Sequence, residues 1–122
     1  MSTVTPEEKK SADVSVSVEP GICGFDCVIN VYRIDKRTVK IEISGSECKQ
    51  IRRLSAELDE MSLKELFTPM TRNPVYAAAQ KSGCHPSCVL PTAVLKAVEA
   101  ALEMALPRDV RVCFHAPCGD GR

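Results

Sequence analysis

Cysteine is the residue type in this sequence best suited to chemistry, because the 122-residue chain contains 7 of them. An odd number excludes a set of intrachain disulfides in which every cysteine is paired. The N-terminal stretch MSTVTPEEKK has no apolar segment of the kind that a secretory signal requires. We therefore expect a cytoplasmic location, where thiols stay reduced. Three roles remain open for the cysteines: small buried side chains, ligands of a metal or cluster, and reactive thiols.

The spacing of the cysteines is compatible with metal binding. Cys23 and Cys27 form one C-x3-C pair, and Cys84 and Cys88 form a second. Structural zinc sites use spacings from C-x2-C to C-x4-C, so these pairs fit zinc without being specific for it. The thioredoxin-type C-x-x-C and the ferredoxin run C-x2-C-x2-C are both missing from the sequence. Their absence weakens an oxidoreductase or ferredoxin-type interpretation.

Three cysteines have local surroundings that favour the thiolate, which is the form that binds metals. Cys48 and Cys88 each lie within one turn of the start of a predicted helix. Unpaired N–H groups and the helix dipole favour negative charge at such a position. Cys23 lies between Gly21 and Gly24, where exposed backbone N–H groups can donate to a thiolate or to inorganic sulfide.

The composition excludes several classes of partner. The 16 Lys and Arg residues balance the 16 Asp and Glu residues, so the basic surface typical of nucleic-acid binding is missing. Aromatic residues make up 4% and Trp is absent, which argues against carbohydrate clefts and base-stacking platforms. No run of about 18 apolar residues is present, so we expect no membrane partner. An unidentified protein or small molecule remains as the partner of a monomer or small homo-oligomer.

Hydrophobic periodicity predicts a single α/β domain over residues 13–116, with tails at 1–12 and 117–122. Apolar and polar residues alternate in four segments, which we interpret as strands: 14–19, 28–34, 39–44 and 109–115. The fold class that follows is α/β (α+β). We expect a two-layer sandwich, with helices on one face of a mixed four-stranded sheet in the order β-β-β-helices-β.

Three helix starts can be placed from local signals. Ser44 to Glu47 match a capping box, with Ser46 as an alternative N-cap. Asn73-Pro74 is a typical N-cap followed by proline, and Pro91 opens the most regular helix. Gly83 suits the C-terminal end of the Asn73 helix. The Pro91 helix has a narrow polar stripe, so we expect it to be buried against the sheet with Val98 and Leu102 in the core.

The predicted topology brings the cysteines together. Successive strands and helices run in alternating directions, so the chain returns repeatedly to the edge of the sheet at which the first strand ends. The loops that contain Cys23, Cys48 and the segment from Cys84 to Cys88 then lie at that edge. The last predicted strand would run towards the same edge and bring Cys113 and Cys118 there. We therefore expect all of the cysteines at one edge of the sheet.

Three segments together resemble a known family. They are PGICGF at residues 20–25, Ser46-Glu47-Cys48, and HPSCVLP at residues 85–91. The sequence is similar, from residue 14 to about residue 115, to a small family of unknown function from anaerobic bacteria and archaea. The resemblance implies that the cysteines matching Cys23, Cys48 and Cys88 are the recurrent ones, and that the setting is anaerobic. It implies no activity.

These observations lead to three hypotheses. The first is a metal centre held by Cys23, Cys48 and Cys88, an iron–sulfur cluster with zinc as the alternative, and a role in redox chemistry or in sulfur or metal handling. Three cysteines would leave one iron of a [4Fe–4S] cluster open, or leave it to Cys27, Cys84 or His85 as a further ligand. The second is a reactive thiol, Cys88 or Cys48, that works without a metal. The third is a small binding or accessory domain in which the cysteines are structural. Whether the protein is an enzyme is left open.

Overall fold

The computed structural model of the chain describes residues 11–19, 26–45 and 47–115. The predicted tails therefore lie almost wholly outside the described residues. The strands are β1 (Val14–Val18), β2 (Cys27–Asp35), β3 (Thr38–Ser44) and β4 (Glu60–Ser62). The helices are α1 (Lys49–Glu57), α2 (Leu63–Leu66), α3 (Pro74–Ser82) and α4 (Leu90–Ala101), with a 3-10 helix at Met70–Arg72.

The strands form one sheet in the order β1-β2-β3-β4, with antiparallel pairing between neighbours. The predicted alternation is confirmed, because Ser15 and Ser17 of β1 are exposed while the inward side chains of the two central strands are buried. These buried residues are Cys27, Ile29, Val31, Val39, Ile41 and Ile43. The helices cover this apolar face, with α4 against β1 and β2 and α1 against β3. The two-layer arrangement with helices on one face is therefore confirmed.

The strand predicted at 109–115 is not formed. Residues 106–115 contain neither helix nor strand, and they are exposed. The fourth strand is instead β4, which pairs with β3 through Lys40 opposite Glu60. The ladders between the described strands are all antiparallel, so the sheet is not the mixed one that we predicted. The alternation in 109–115 is a local signal, whereas a strand also needs a neighbour whose backbone groups it can bond, and none of β1 to β4 pairs with this segment.

Asn73 fixes the start of α3 against the turn that follows α2. It is 2% exposed, and its Oδ1 accepts a hydrogen bond from the backbone N–H of Val75 at 3.0 Å, as an N-cap does. Its Nδ2 donates to the carbonyl oxygens of Glu65, Leu66 and Thr68 at 3.2, 3.3 and 3.0 Å. The predicted start at Asn73-Pro74 is thus confirmed, and the side chain holds α3, which leads into Cys84, in a fixed position.

The helix α4 forms the centre of the second layer. Val98 is 0% exposed and Leu102, which follows the last residue of the helix, is 2% exposed, so both are core residues as predicted. Pro91 lies in the first turn, where its missing N–H leaves no hydrogen bond unmade. Among the described helices, none combines the length and the apolar character needed to cross a membrane.

Replacing Leu102 with alanine should destabilise the protein by about 2–5 kcal/mol, because it removes buried methyl groups and leaves a cavity. The measurement is the free energy of unfolding in urea. The matched control is Lys96→Ala in the same helix, since Lys96 is exposed, and its effect should stay within about 0.5 kcal/mol. Equal effects of the two substitutions would contradict the packing described for α4.

Candidate functional site

Cys27 lies at the edge of the sheet where β1 and β3 end. It is the first residue of β2, it lies opposite Val18 of β1, and it is 4% exposed. Gly45 follows β3 with a φ of +84°, and a Cβ at this position would lie 3.8 Å from the Cα of Cys27. The glycine therefore allows the chain to turn in the left-handed conformation close to Cys27.

Cys48 is the N-cap residue of α1. Its backbone is extended, and its carbonyl oxygen accepts a hydrogen bond from the N–H of Arg52 at 3.0 Å. Its Sγ donates to Oε1 of Gln50 at 3.1 Å. The helix start predicted from a capping box at Ser44 is wrong, because Ser44 is the last residue of β3. Pairing with β2 keeps Ser44 in the sheet, so the helix begins only after the turn at Gly45.

Cys84 is positioned by the C-terminal end of α3. Gly83 ends the helix in the left-handed conformation with a φ of 82°, as predicted. Its N–H donates to the carbonyl oxygen of Gln80 at 3.1 Å, and that of Cys84 donates to Ala79 at 3.0 Å. This pair of bonds is the Schellman motif. A Cβ at Gly83 would lie 3.8 Å from Cγ of Gln50. Gly83 is therefore close to the first turn of α1, and Cys84 is the next residue in the chain.

Cys88 lies on a tight turn that leads into α4. Its backbone N–H donates to the carbonyl oxygen of His85 at 3.0 Å, with Pro86 as the second residue of the turn. Cys88 precedes Leu90, the first residue of α4, by two positions. The turn brings Cys88 back towards Cys84, and Cys88 is one of the neighbours that raise the pKa of Cys84.

The four thiols lie close enough to influence one another, and we call Cys27, Cys48, Cys84 and Cys88 the thiol cluster. Burial is the main cause that raises the pKa of Cys27 to about 11, and the negative charges of Cys88, Asp26 and Cys48 add to it. Burial also raises the pKa of Cys84 to about 11, followed by the charges of Cys88 and Cys48. Cys48 and Cys88 thus interact with both of the other members.

The four cysteines of the thiol cluster come from three separate segments, because Cys84 and Cys88 share the loop between α3 and α4. Within residues 11–19, 26–45 and 47–115, no group of three or more His, Cys, Asp and Glu side chains is arranged to hold a metal ion. The cysteines of these ranges are thiols and not disulfides. Rotation about χ1 moves each sulfur without moving the backbone. The chemistry available to the cluster is binding of a thiophilic metal or exchange between neighbouring thiols.

The predicted site residues have different outcomes. Cys23 and Cys118 lie outside the described residues. The structure brings Cys27 and Cys84 together with Cys48 and Cys88. Of these four, the family resemblance implies that only Cys48 and Cys88 recur in the family. Cys113 does not join them, because the strand that would carry it to this edge is not formed and the residue is exposed.

Two parts of the site were missed by the sequence analysis. Gln50 accepts the hydrogen bond of Cys48, and Gly45 allows the turn beside Cys27. A glutamine in a helix is ordinarily a surface residue, so its type and position give no signal of this contact. The predicted direction of each element agrees with the positions of Cys27, Cys48, Cys84 and Cys88, whereas the expectation that every cysteine lies at this edge is wrong for Cys113.

Alkylation of the reduced, metal-free protein should separate the thiols by accessibility and ionisation. With a pKa of about 11, Cys84 is a thiolate in about one molecule in a thousand at pH 8. We therefore expect iodoacetamide to modify the exposed Cys113 before Cys84 and before the buried Cys27. The rate at Cys84 should rise about tenfold per pH unit between pH 7 and pH 10, because the thiolate fraction rises in that proportion below the pKa.

Peptide mapping by mass spectrometry measures the modification at each cysteine, and unfolded protein is the control in which the differences should disappear. Modification of Cys84 as fast as Cys113 at pH 7, without an increase at higher pH, would contradict the environment described for Cys84.

The comparisons with known proteins give a family but no activity. A family of unknown function, DUF6951, matches residues 14–114, which is most of the 122-residue chain. Neither the curated proteins nor the solved structures contain a match. The matched range extends from β1 through the thiol cluster to the exposed segment that follows α4. The chain is therefore a member of the family of unknown function DUF6951.

Proposed function

We propose that this protein binds a thiolate-ligated metal centre at the thiol cluster, with an iron–sulfur cluster as the first candidate and zinc as the alternative. The observation that supports the proposal is that Cys48 and Cys88 each raise the pKa of both Cys27 and Cys84, which indicates that the four side chains are neighbours at one edge of the sheet. Four cysteines are the usual ligand set of both a structural zinc ion and a [4Fe–4S] cluster. Its role would be in redox chemistry or in sulfur or metal handling.

The electrostatics of the site favour a bound cation. Four neighbouring thiolates at a partly buried edge repel one another, and burial penalises each charge. A metal ion or cluster supplies the positive charge that allows them to ionise together. Cys48 is the N-cap of α1. The N–H groups of the first turn and the helix dipole favour negative charge at this position. When bound, a fully ligated iron–sulfur cluster would transfer electrons, and an iron with an open position would bind a small ligand.

Two further parts of the proposal come from the sequence. Cys23 remains a candidate ligand, since it belongs with Cys48 and Cys88 to the cysteines that the family resemblance singles out. The anaerobic setting implied by the same resemblance is the reason for preferring an iron–sulfur cluster to zinc. A reducing compartment such as the cytoplasm would keep the thiols available for metal, and we include that location in the proposal.

A metal-independent thiol function is the second candidate, because the turn at His85 brings Cys88 back towards Cys84 and Cys88 contributes to the raised pKa of Cys84. Such a pair can act as an attacking and a resolving thiol. The pKa of Cys84, raised to about 11, makes it a poor nucleophile near neutral pH. Cys88 would then have to be the attacking thiol and Cys84 the resolving one.

Metal analysis of protein expressed and purified without oxygen tests the proposal. We expect about four irons and four sulfides per chain, with absorption near roughly 400 nm, if the centre is a [4Fe–4S] cluster. About one zinc per chain is expected for the alternative. Serine substitution of Cys27, Cys48, Cys84 or Cys88 removes a thiolate ligand and should weaken metal binding about tenfold or more.

Cys113→Ser is the matched control, because Cys113 is an exposed cysteine outside the thiol cluster, and it should retain the wild-type metal content. Cys23→Ser tests the additional ligand in the same assay. Circular dichroism verifies that each variant is folded. Metal-free wild-type protein, or cluster variants that bind as much metal as Cys113→Ser, would contradict the proposal. In that case, a disulfide between Cys84 and Cys88 after mild oxidation would favour the second candidate.

A further inference from the structure

The segment that follows α4 has the pattern of a strand but no neighbour. Val110, Val112 and Phe114 alternate with polar residues, and they are 60%, 77% and 82% exposed. Such alternation is typical of a strand with one buried and one solvated face. The family match extends to residue 114, so the segment belongs to the family's domain and is not an appended tail. We call residues 109–115 the C-terminal segment.

β1 is an outermost strand of the described sheet, with no strand on its outer side. The helices bury its apolar side chains only in part. β1 pairs only with β2 in the described sheet, so its other side presents unpaired backbone groups. Its inward residues Val14 and Val16 are only half-buried, although they pack against the core. The corresponding residues of β2, Ile29 and Val31, are 0% exposed. An additional strand with apolar side chains on the same face would cover Val14 and Val16.

Charge does not oppose the pairing of the two elements. The exposed residues of β1, Ser15 and Ser17, are uncharged. The C-terminal segment contains one acidic residue, Asp109, and one basic residue, Arg111, which balance each other. In length, the seven residues of the segment span about 23 Å when extended, which is sufficient to pair along the five residues of β1.

We propose that the C-terminal segment forms a strand on the β1 edge of a second copy of this chain, and that the exchange is reciprocal. In the single chain the segment is exposed, and β1 keeps its open edge. Glu103, two residues beyond α4, forms an ion pair of 2.9 Å with Arg33 of β2. Reciprocal addition gives each copy a covered edge and buries both apolar stripes in a closed, two-fold symmetric dimer. This inference does not depend on the proposed metal centre.

Light scattering coupled to size-exclusion chromatography on the full chain tests the exchange. We expect a mass twice that of the 13.3 kDa chain. Val112→Asp and Phe114→Asp should shift the protein to the mass of a single chain, because each places a charge in the buried face of the added strand. Both side chains are exposed in the single chain, so the fold should persist, as circular dichroism would verify. Cys113→Ser, on the polar face, should leave the dimer intact.

A crosslink tests the location of the contact. Ser17 lies on the outer face of β1, and antiparallel addition can place it opposite Cys113. The Ser17→Cys variant should therefore form a disulfide between chains with Cys113 after mild oxidation, whereas Lys64→Cys on α2 should not. A monomeric wild-type protein or a dimer that survives both aspartate variants would overturn the proposal. A disulfide from the introduced thiol to Cys113 of the same chain would overturn it as well.

Discussion

The thiol cluster depends on the alternating directions of the strands and helices, because these directions bring the chain back to the same edge of the sheet. Antiparallel pairing makes β2 begin at the edge where β1 and β3 end. The helix α1 starts after the turn that leaves this edge, and α3 returns to it before α4 departs. The helices α1 and α4 pack on the apolar face of the sheet, and α3 packs against these two helices. The cysteines need only to lie at the ends of these elements for the fold to bring them together.

Crowding at this edge has an electrostatic consequence. Cys27 is buried, and burial together with the neighbouring thiols raises its pKa and that of Cys84 to about 11. Without a cation, the thiol cluster therefore cannot carry four negative charges near neutral pH. Protons stay on Cys27 and Cys84, or a metal takes up the charge. Protonation is the reason that these two thiols are weak nucleophiles near neutral pH, and a metal that binds them would have to displace their protons.

Much of this arrangement could be predicted from the sequence, since the signals involved are local. Alternation identified β1, β2 and β3, the Asn73-Pro74 and Gly83 signals identified the ends of α3, and the narrow polar stripe of α4 identified its buried face. The parts that could not be predicted depend on tertiary pairing. The three residues of β4 are too few to show a period. The helix α1 begins at Lys49, after its N-cap Cys48, because pairing retains Ser44 in β3. Residues 109–115 alternate between apolar and polar side chains, but no strand of the described sheet pairs with them.

X-ray absorption at the metal K-edge of anaerobically purified protein tests the central claim most directly, because it reports the atoms bound to the metal. A centre at the thiol cluster predicts a first shell of sulfur at about 2.3 Å, with about four sulfur neighbours per metal. An iron–sulfur cluster adds iron neighbours beyond this shell, and zinc does not. A first shell dominated by oxygen or nitrogen, or protein that contains no metal, would contradict the account.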